Sequence, residues 1–311
     1  MRRLRRVGRV LLRLAFSAGL LALLLWWLKP DAVFAALGPL SPGWVLPALA
    51  LGVPQVFVSA WRWRLTAACL GLALPLGVAF REYYLASFLN QVLPGGVGGD
   101  LTRAWRHAGA VDGGRAPWHA VLIERASGQL ALLLVGGAAL ALSPALRVGM
   151  VDAIAALPLP SGVWALGGLA VGLLAFRRLR PALAVLWRDA RLALFARTVL
   201  PLQLLGSLAL VASYIAVYFC CARAIGIGRP AAELLPLIPP VLLAMAIPLS
   251  VAGWGVREGA AALVWLLAGL PPAEGVAISV VYGVVVLVSS LPGAAVLLAG
   301  GAGHRRGAQP S

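Results

Sequence analysis

Lysine is almost missing from this chain: of 26 basic residues, only Lys29 is a lysine. Acidic residues number 10, and all charged residues together make up 12% of the sequence. So little charge excludes a soluble globular chain with a solvated surface. There are three histidines, His107, His119 and His304, and they show no metal-ligand spacing. Three cysteines, Cys69, Cys220 and Cys221, lie in or beside apolar segments; an odd count with no metal spacing excludes a disulfide framework and a zinc site. They read as core thiols. No Gly-Lys-Ser/Thr follows the glycines at 95–99, which excludes a P-loop, and no strand precedes them to make a Rossmann turn. Ser127, Ser207 and Ser213 have no His/Asp arrangement beside them and read as helix-packing hydroxyls. No metal and no cofactor is expected.

What is present is apolar sequence. Hydrophobic residues reach 61% and the mean hydropathy is +0.94. Runs long enough to cross a bilayer, about 20 residues each, recur from end to end. The net charge of +16 resembles that of a nucleic-acid binder, but the arginines sit in short clusters between apolar runs. Membrane topology accounts for that distribution, and no nucleic-acid partner is expected. The expected fold is an all-α polytopic membrane protein filling residues 1–311. Residues 1–9 form a basic cytoplasmic N-terminus, 10–300 the transmembrane domain and 301–311 a cytoplasmic tail, with no soluble catalytic domain.

The arginine clusters set the expected topology. Val10 to Leu28 follows five arginines and is too long for a signal-peptide core, so it reads as a retained first span with its N-terminus inside. Gly43 to Trp61 returns and lands on Trp61-Arg-Trp-Arg64, a pattern suited to the inner interface. Leu65 to Phe80, broken by Gly71, Pro75 and Gly77, is placed along the inner surface. Trp118 to Leu142, Val163 to Phe176, Leu200 to Ala222 and Gly275 to Gly300 are the further full spans. A loop holding Arg147 and Asp152 lies outside, and Pro181 to Arg197 forms an amphipathic helix on the inner leaflet. About six full spans and two broken, re-entrant segments keep every dense arginine cluster cytoplasmic. The implied location is a bacterial inner membrane with both termini inside.

The broken segments stand out. Arg81 to Leu93 is short, and Pro94 stops it; Gly95, Gly96, Gly98 and Gly99 then allow a turn, and Asp100 is placed to cap a new helix. The second half holds a similar run, Pro248-Leu-Ser250-Val-Ala-Gly253-Trp-Gly255-Val-Arg257-Glu258. Both go from proline through small residues and glycines to a charged pair opening a helix. By the topology above they enter from opposite faces, an inverted-repeat-like arrangement, and interrupted segments in corresponding halves point to a transporter's binding site.

Charge at this depth needs a reason, since each ionisable group at a helix centre costs at least ~2.5–3.5 kcal/mol on insertion scales. Asp100, Arg103, Glu124, Arg125, Arg257 and Glu258 are the candidates. Glu124 and Arg125 are adjacent and point about 100° apart, so their partners belong on other helices. Two readings stand: a salt-bridge network tying the halves together, and a polar cavity that receives an anionic lipid head group.

The run Phe88-Leu-Asn90, Leu93-Pro94-Gly-Gly, Gly98-Gly-Asp100 and Arg103, followed by Glu124-Arg125, resembles the lysylphosphatidylglycerol synthase transmembrane region, also called the flippase-like domain. Pro248 to Glu258 and the Trp61-Arg-Trp63 landing are similar to it too. The resemblance implies an inner-membrane relative of the part of multi-peptide-resistance proteins that moves aminoacylated phospholipids between leaflets. Relatives also accompany glycolipid and polyprenyl-lipid pathways. The full synthases carry a soluble aminoacyl-transfer domain that does not follow here, so enzyme activity is not expected. The expected function is lipid translocation, with Asn90 joining the motif residues around the head group. The alternatives are a scaffold for a separately encoded lipid synthase or glycosyltransferase and, less well supported, a lipid-modifying enzyme.

Overall fold

The computed structural model describes residues 39–93, 96–111, 114–155, 183–246 and 252–306, with scattered single positions outside these ranges. Every element among them is helical. Helix α1 (Pro42–Ala50) runs into α2 (Gly52–Cys69), and together they form one 28-residue apolar rod. After a turn at Gly71 come α3 (Leu76–Val92) and α4 (Gly98–Ala110), then the long α5 (Ala116–Leu142) and α6 (Pro144–Ala155). Residues 183–194 form α7, followed by α8 (Leu200–Ala224). The proline-rich stretch splits into α9 (Ala231–Leu234), α10 (Ile238–Leu243) and two single 3-10 turns, because Pro236, Pro239 and Pro240 each remove a backbone donor. Helices α11 (Val256–Leu267), α12 (Pro272–Ser290) and α13 (Pro292–Arg306) complete the chain.

Four rods among the described residues are long and apolar enough to cross a membrane: Pro42–Cys69, Ala116–Leu142, Leu200–Ala224 and Pro272–Ala299. Two further expected spans, Val10 to Leu28 and Val163 to Phe176, lie outside the described residues. Leucines such as Leu133, Leu134, Leu142 and Leu205 are exposed around the rods. In water that belt would be a liability; in a bilayer its neighbours are lipid tails.

Three sequence expectations need correction. Helix α2 does not stop at Trp61: it continues eight residues to Cys69, and Arg62 and Trp63 are 1% and 0% exposed, inside the protein. Arg81 to Leu93 is the later part of the 17-residue α3, which starts at Leu76 just after Pro75. The loop around Arg147 is helical as α6, anchored by the fully buried Leu146. The amphipathic α7 is present, with Trp187 and Leu192 exposed. Its Asp189 Oδ2 lies 2.5 Å from His119 Nδ1 at the start of α5.

Packing places the broken segments at the centre. Helix α3 pairs with α2, α4 and α13, while α4 also packs on α5. Helix α11 packs on α12, and α12 reaches α3, α2 and α8. The main apolar core gathers Tyr218, Val241, Trp265, Ile278 and Tyr282 from α8, α10, α11 and α12. A second core, with Trp63, Ala79, Ala104 and Ala120, holds α2, α3, α4 and α5 together.

Candidate functional site

The hairpin between α3 and α4 is closed by Asn90. Its Oδ1 accepts a hydrogen bond from the Gly99 N–H at 2.8 Å, and its Nδ2 donates to Asp100 Oδ2 at 2.9 Å. The cap on α4 therefore comes from the preceding helix. Asp100, expected to cap α4, instead sits in its first turn and takes up the two neighbouring arginines. A Cβ on Gly99 would fall 1.9 Å from the Ala86 carbonyl oxygen, so only glycine permits this approach of α4 to α3. Gly96 turns the chain with φ +61°, and Gly98 packs under Leu93.

Around that hairpin lies a continuous ion network. Arg103 Nη2 contacts Asp100 Oδ1 at 2.9 Å and Glu124 Oε2 at 2.7 Å. Arg125 pairs with the other oxygen of Asp100. Arg62 Nη1 reaches Glu124 Oε1 at 3.3 Å, while its Nη2 donates to Ser127 Oγ and its Nε to Gln203 Oε1. The Arg103 guanidinium is held between two rings, 4.8 Å from the Trp63 centroid and 4.4 Å from that of Tyr83, which stabilises its charge without water. Three guanidiniums, of Arg62, Arg103 and Arg125, face two carboxylates, of Asp100 and Glu124. One positive charge is left over.

The second interruption repeats the device on a smaller scale. Gly253 and Gly255 adopt φ +84° and +86°, and Ala252 joins them at +51°, a region that strains a residue bearing a Cβ. Glu258 reaches back to accept from the Gly255 N–H at 2.6 Å, closing the first turn of α11. That bend brings its other oxygen to Arg257 Nη2 at 2.6 Å, so here two adjacent residues do pair. Ser279 of α12 completes the group, and the Arg257 guanidinium lies between Trp254 and Tyr282, 5.1 and 5.4 Å from their centroids. On α12, Gly283 makes the room: a Cβ there would sit 2.3 Å from Arg257 Nη2. This pair is electrically balanced.

A cavity of about 530 Å³ lies between the two interruptions, within the ~300–1,000 Å³ range of small-molecule sites. Asn90, Gly96, Asp100 and Arg125 line it from the first motif, and Gly253 from the second. Arg125 is the charge it meets most openly, with 38% of its side chain exposed. Arg103 and Glu124 stand behind that wall, and so do Arg257 and Glu258, 1% and 0% exposed. Gly98, Gly99 and Gly255 shape the backbone rather than the lining. Pro94, Gly95, Pro248 and Ser250 lie outside the described residues. The expected bridging of complementary charges between the two segments is not what forms: among the described residues, each segment closes its ion pairs in its own half.

Several participants carry no sequence signal of their own. Arg62 and Gln203 come from distant helices, and the cavity is completed by Gln55, Gln129, Tyr83, Tyr214 and Tyr282. Arg62 was readable as a charge in an apolar setting, but its two tryptophan neighbours gave it the look of an interface residue. Among the described residues no cluster of His, Cys, Asp and Glu is placed to hold a metal ion.

The fold and its buried, partly open ion network define a multi-pass all-α membrane protein with a cavity between two interrupted segments. The chain belongs to the Lysylphosphatidylglycerol synthase TM region family, whose model matches residues 10–293. No curated protein and no solved structure matches it.

Proposed function

We propose that this protein moves a phospholipid or related lipid between leaflets, the head group passing through the cavity while the tails stay in the bilayer. The observation that supports this is the cavity between the two interruptions, onto which Arg125 opens from a network with one unmatched positive charge. A phosphate is the natural complement of an arginine that stays partly exposed at a cavity wall, and the buried Arg125 Nε also lacks a partner among the described residues. Family membership supports a lipid-related role at the coarser level. The membrane is a bacterial inner membrane, and the arginine clusters orient both termini toward the cytoplasm. The reading assigns the protein no bond-making chemistry; any separately encoded lipid synthase or glycosyltransferase would be its partner.

The test is leaflet exchange of fluorescent phospholipids in liposomes containing the purified protein. Exchange above that of protein-free liposomes is expected, and Arg125→Ala is expected to slow it at least ~10-fold, about 1.4 kcal/mol in barrier. Exchange no faster than in empty liposomes, across anionic and zwitterionic lipids, would remove the translocator and favour the scaffold.

A further inference from the structure

Resting on that reading, we infer that the head group this cavity accepts is a phosphodiester bearing an uncharged, hydroxyl-rich moiety, such as a polyol or sugar, and not a cationic aminoacyl group. Among the described residues lining the cavity, the only carboxylate is Asp100 and the only guanidinium is Arg125. Asp100 is already saturated, by Arg103 Nε at 3.0 Å, Asn90 Nδ2 at 2.9 Å and Arg125. Its side chain is 10% exposed. Glu124 and Glu258 are sealed behind the wall by their own arginines. Among the described residues an ammonium group in the cavity would therefore find no free carboxylate, and would sit beside a network that carries one excess positive charge. Like charges in a low-dielectric site repel strongly.

The rest of the lining is neutral and rich in hydrogen-bonding groups. Gln55, Ser59, Gln91, Gln129, Ser289 and Ser290 face it from α2, α3, α5 and α12. Two of these amides have a buried atom with no partner among the described residues: Gln55 Nε2, a donor, and Gln129 Oε1, an acceptor. An amide donor and an amide acceptor left unsatisfied at this lining are matched by a hydroxyl, which offers both once the partly buried side chains turn toward it. Burying such atoms without a partner is costly, so a ligand that satisfies them is favoured over one that does not. Val97, Leu101, Trp118 and Leu122 line the same cavity and are exposed on the surface, giving it an apolar rim continuous with the protein's outer face. That rim identifies the ligand as membrane-resident: the phosphate and hydroxyls lie inside and the tails lie against the rim.

Native mass spectrometry of the full-length, delipidated protein is the test, using an equimolar mixture of phosphatidylglycerol, phosphatidylinositol, phosphatidic acid and lysylphosphatidylglycerol. Phosphatidylglycerol and phosphatidylinositol should be retained at least ~10-fold over lysylphosphatidylglycerol, as expected of a site that discriminates by paired and unpaired polar groups. The double variant Gln55→Leu, Gln129→Leu should lose most of the preference for the hydroxyl-bearing lipids over phosphatidic acid while retaining phosphatidic acid itself, which also shows that it is folded. Glycerophosphoinositol, the same head without tails, should compete at least ~10-fold less well than the intact lipid, because the rim contributes burial of its chains. Retention of lysylphosphatidylglycerol at or above phosphatidylglycerol overturns the inference, as does a soluble head that competes equally. Lipid-selective binding without leaflet exchange would leave this selectivity standing and remove translocation. Equal exchange of all the lipids would do the reverse.

Discussion

Arg62 Nη1 meets Glu124 Oε1 at 3.3 Å, joining two helices through side chains 62 positions apart, both almost wholly buried. Glu124 is thereby clasped from two sides, by Arg62 on one oxygen and Arg103 on the other. Replacing Arg62 by methionine leaves that carboxylate half-paired and removes the Arg62 donors to Gln203 Oε1 and Ser127 Oγ, which keep only their bonds to Thr66 and the Glu124 carbonyl. Loss of one partner from a buried ion pair costs about 3–5 kcal/mol. Arg62→Met should lower the thermal midpoint in detergent, and Glu124→Gln added to it should restore part of the loss. A midpoint unchanged by Arg62→Met would show that the clasp contributes nothing to the fold.

The Asn90 cap predicts a smaller, local effect. Asn90→Ala removes the acceptor of the Gly99 N–H and one donor to Asp100, which should cost about 1 kcal/mol. Hydrogen exchange should quicken at the first turn of α4 and leave α8 untouched. Uniform quickening across the protein would mean that the cap holds the whole fold rather than one hairpin.

Gly99 and Gly109 make a matched pair on one helix. Gly99→Ala drives a methyl into the Ala86 carbonyl and should cost about 1–3 kcal/mol or more, since backbone cannot step aside cheaply. Gly109→Ala meets nothing within 4 Å and should be neutral or stabilising by about 0.5–1 kcal/mol. Thermal unfolding of the two variants reads the contrast directly; equal midpoints would contradict the close approach.

Orientation is open to labelling. In a background with Cys69, Cys220 and Cys221 replaced, Gly96→Cys should react with a membrane-impermeant thiol reagent from the cytoplasmic side and Gly253→Cys from the outer side. Reaction of both from one side would break the opposed arrangement of the two interruptions.

The sequence made the membrane class, the apolar rods and the two interruptions legible, because hydropathy and glycine-proline punctuation are local signals. The pairing of Arg125 with a charge on another helix followed from its neighbour Glu124 pointing elsewhere. What was not legible depends on register between helices. Arg62 belongs to the network only because α2 runs on past Trp61 and turns that side chain inward. Asn90 caps Gly99 only because glycine lets two helices nearly touch. The pairing of adjacent Arg257 and Glu258 ran against helical spacing, and it arises because Glu258 bends back to the Gly255 N–H.

The self-sufficiency of the Arg257–Glu258 pair has a mechanical consequence. Arg103 is bolted to three other helices through Trp63, Tyr83 and Glu124, which makes the first hairpin a fixed jaw. Arg257 carries its counter-charge within its own helix and its hydroxyl partner on the helix packed beside it. No ion pair among the described residues ties this second unit to the first hairpin. The Tyr282, Ser289 and Ser290 face of α12 therefore meets the fixed jaw through uncharged groups alone, so a displacement along that seam would break no ion pair among the described residues.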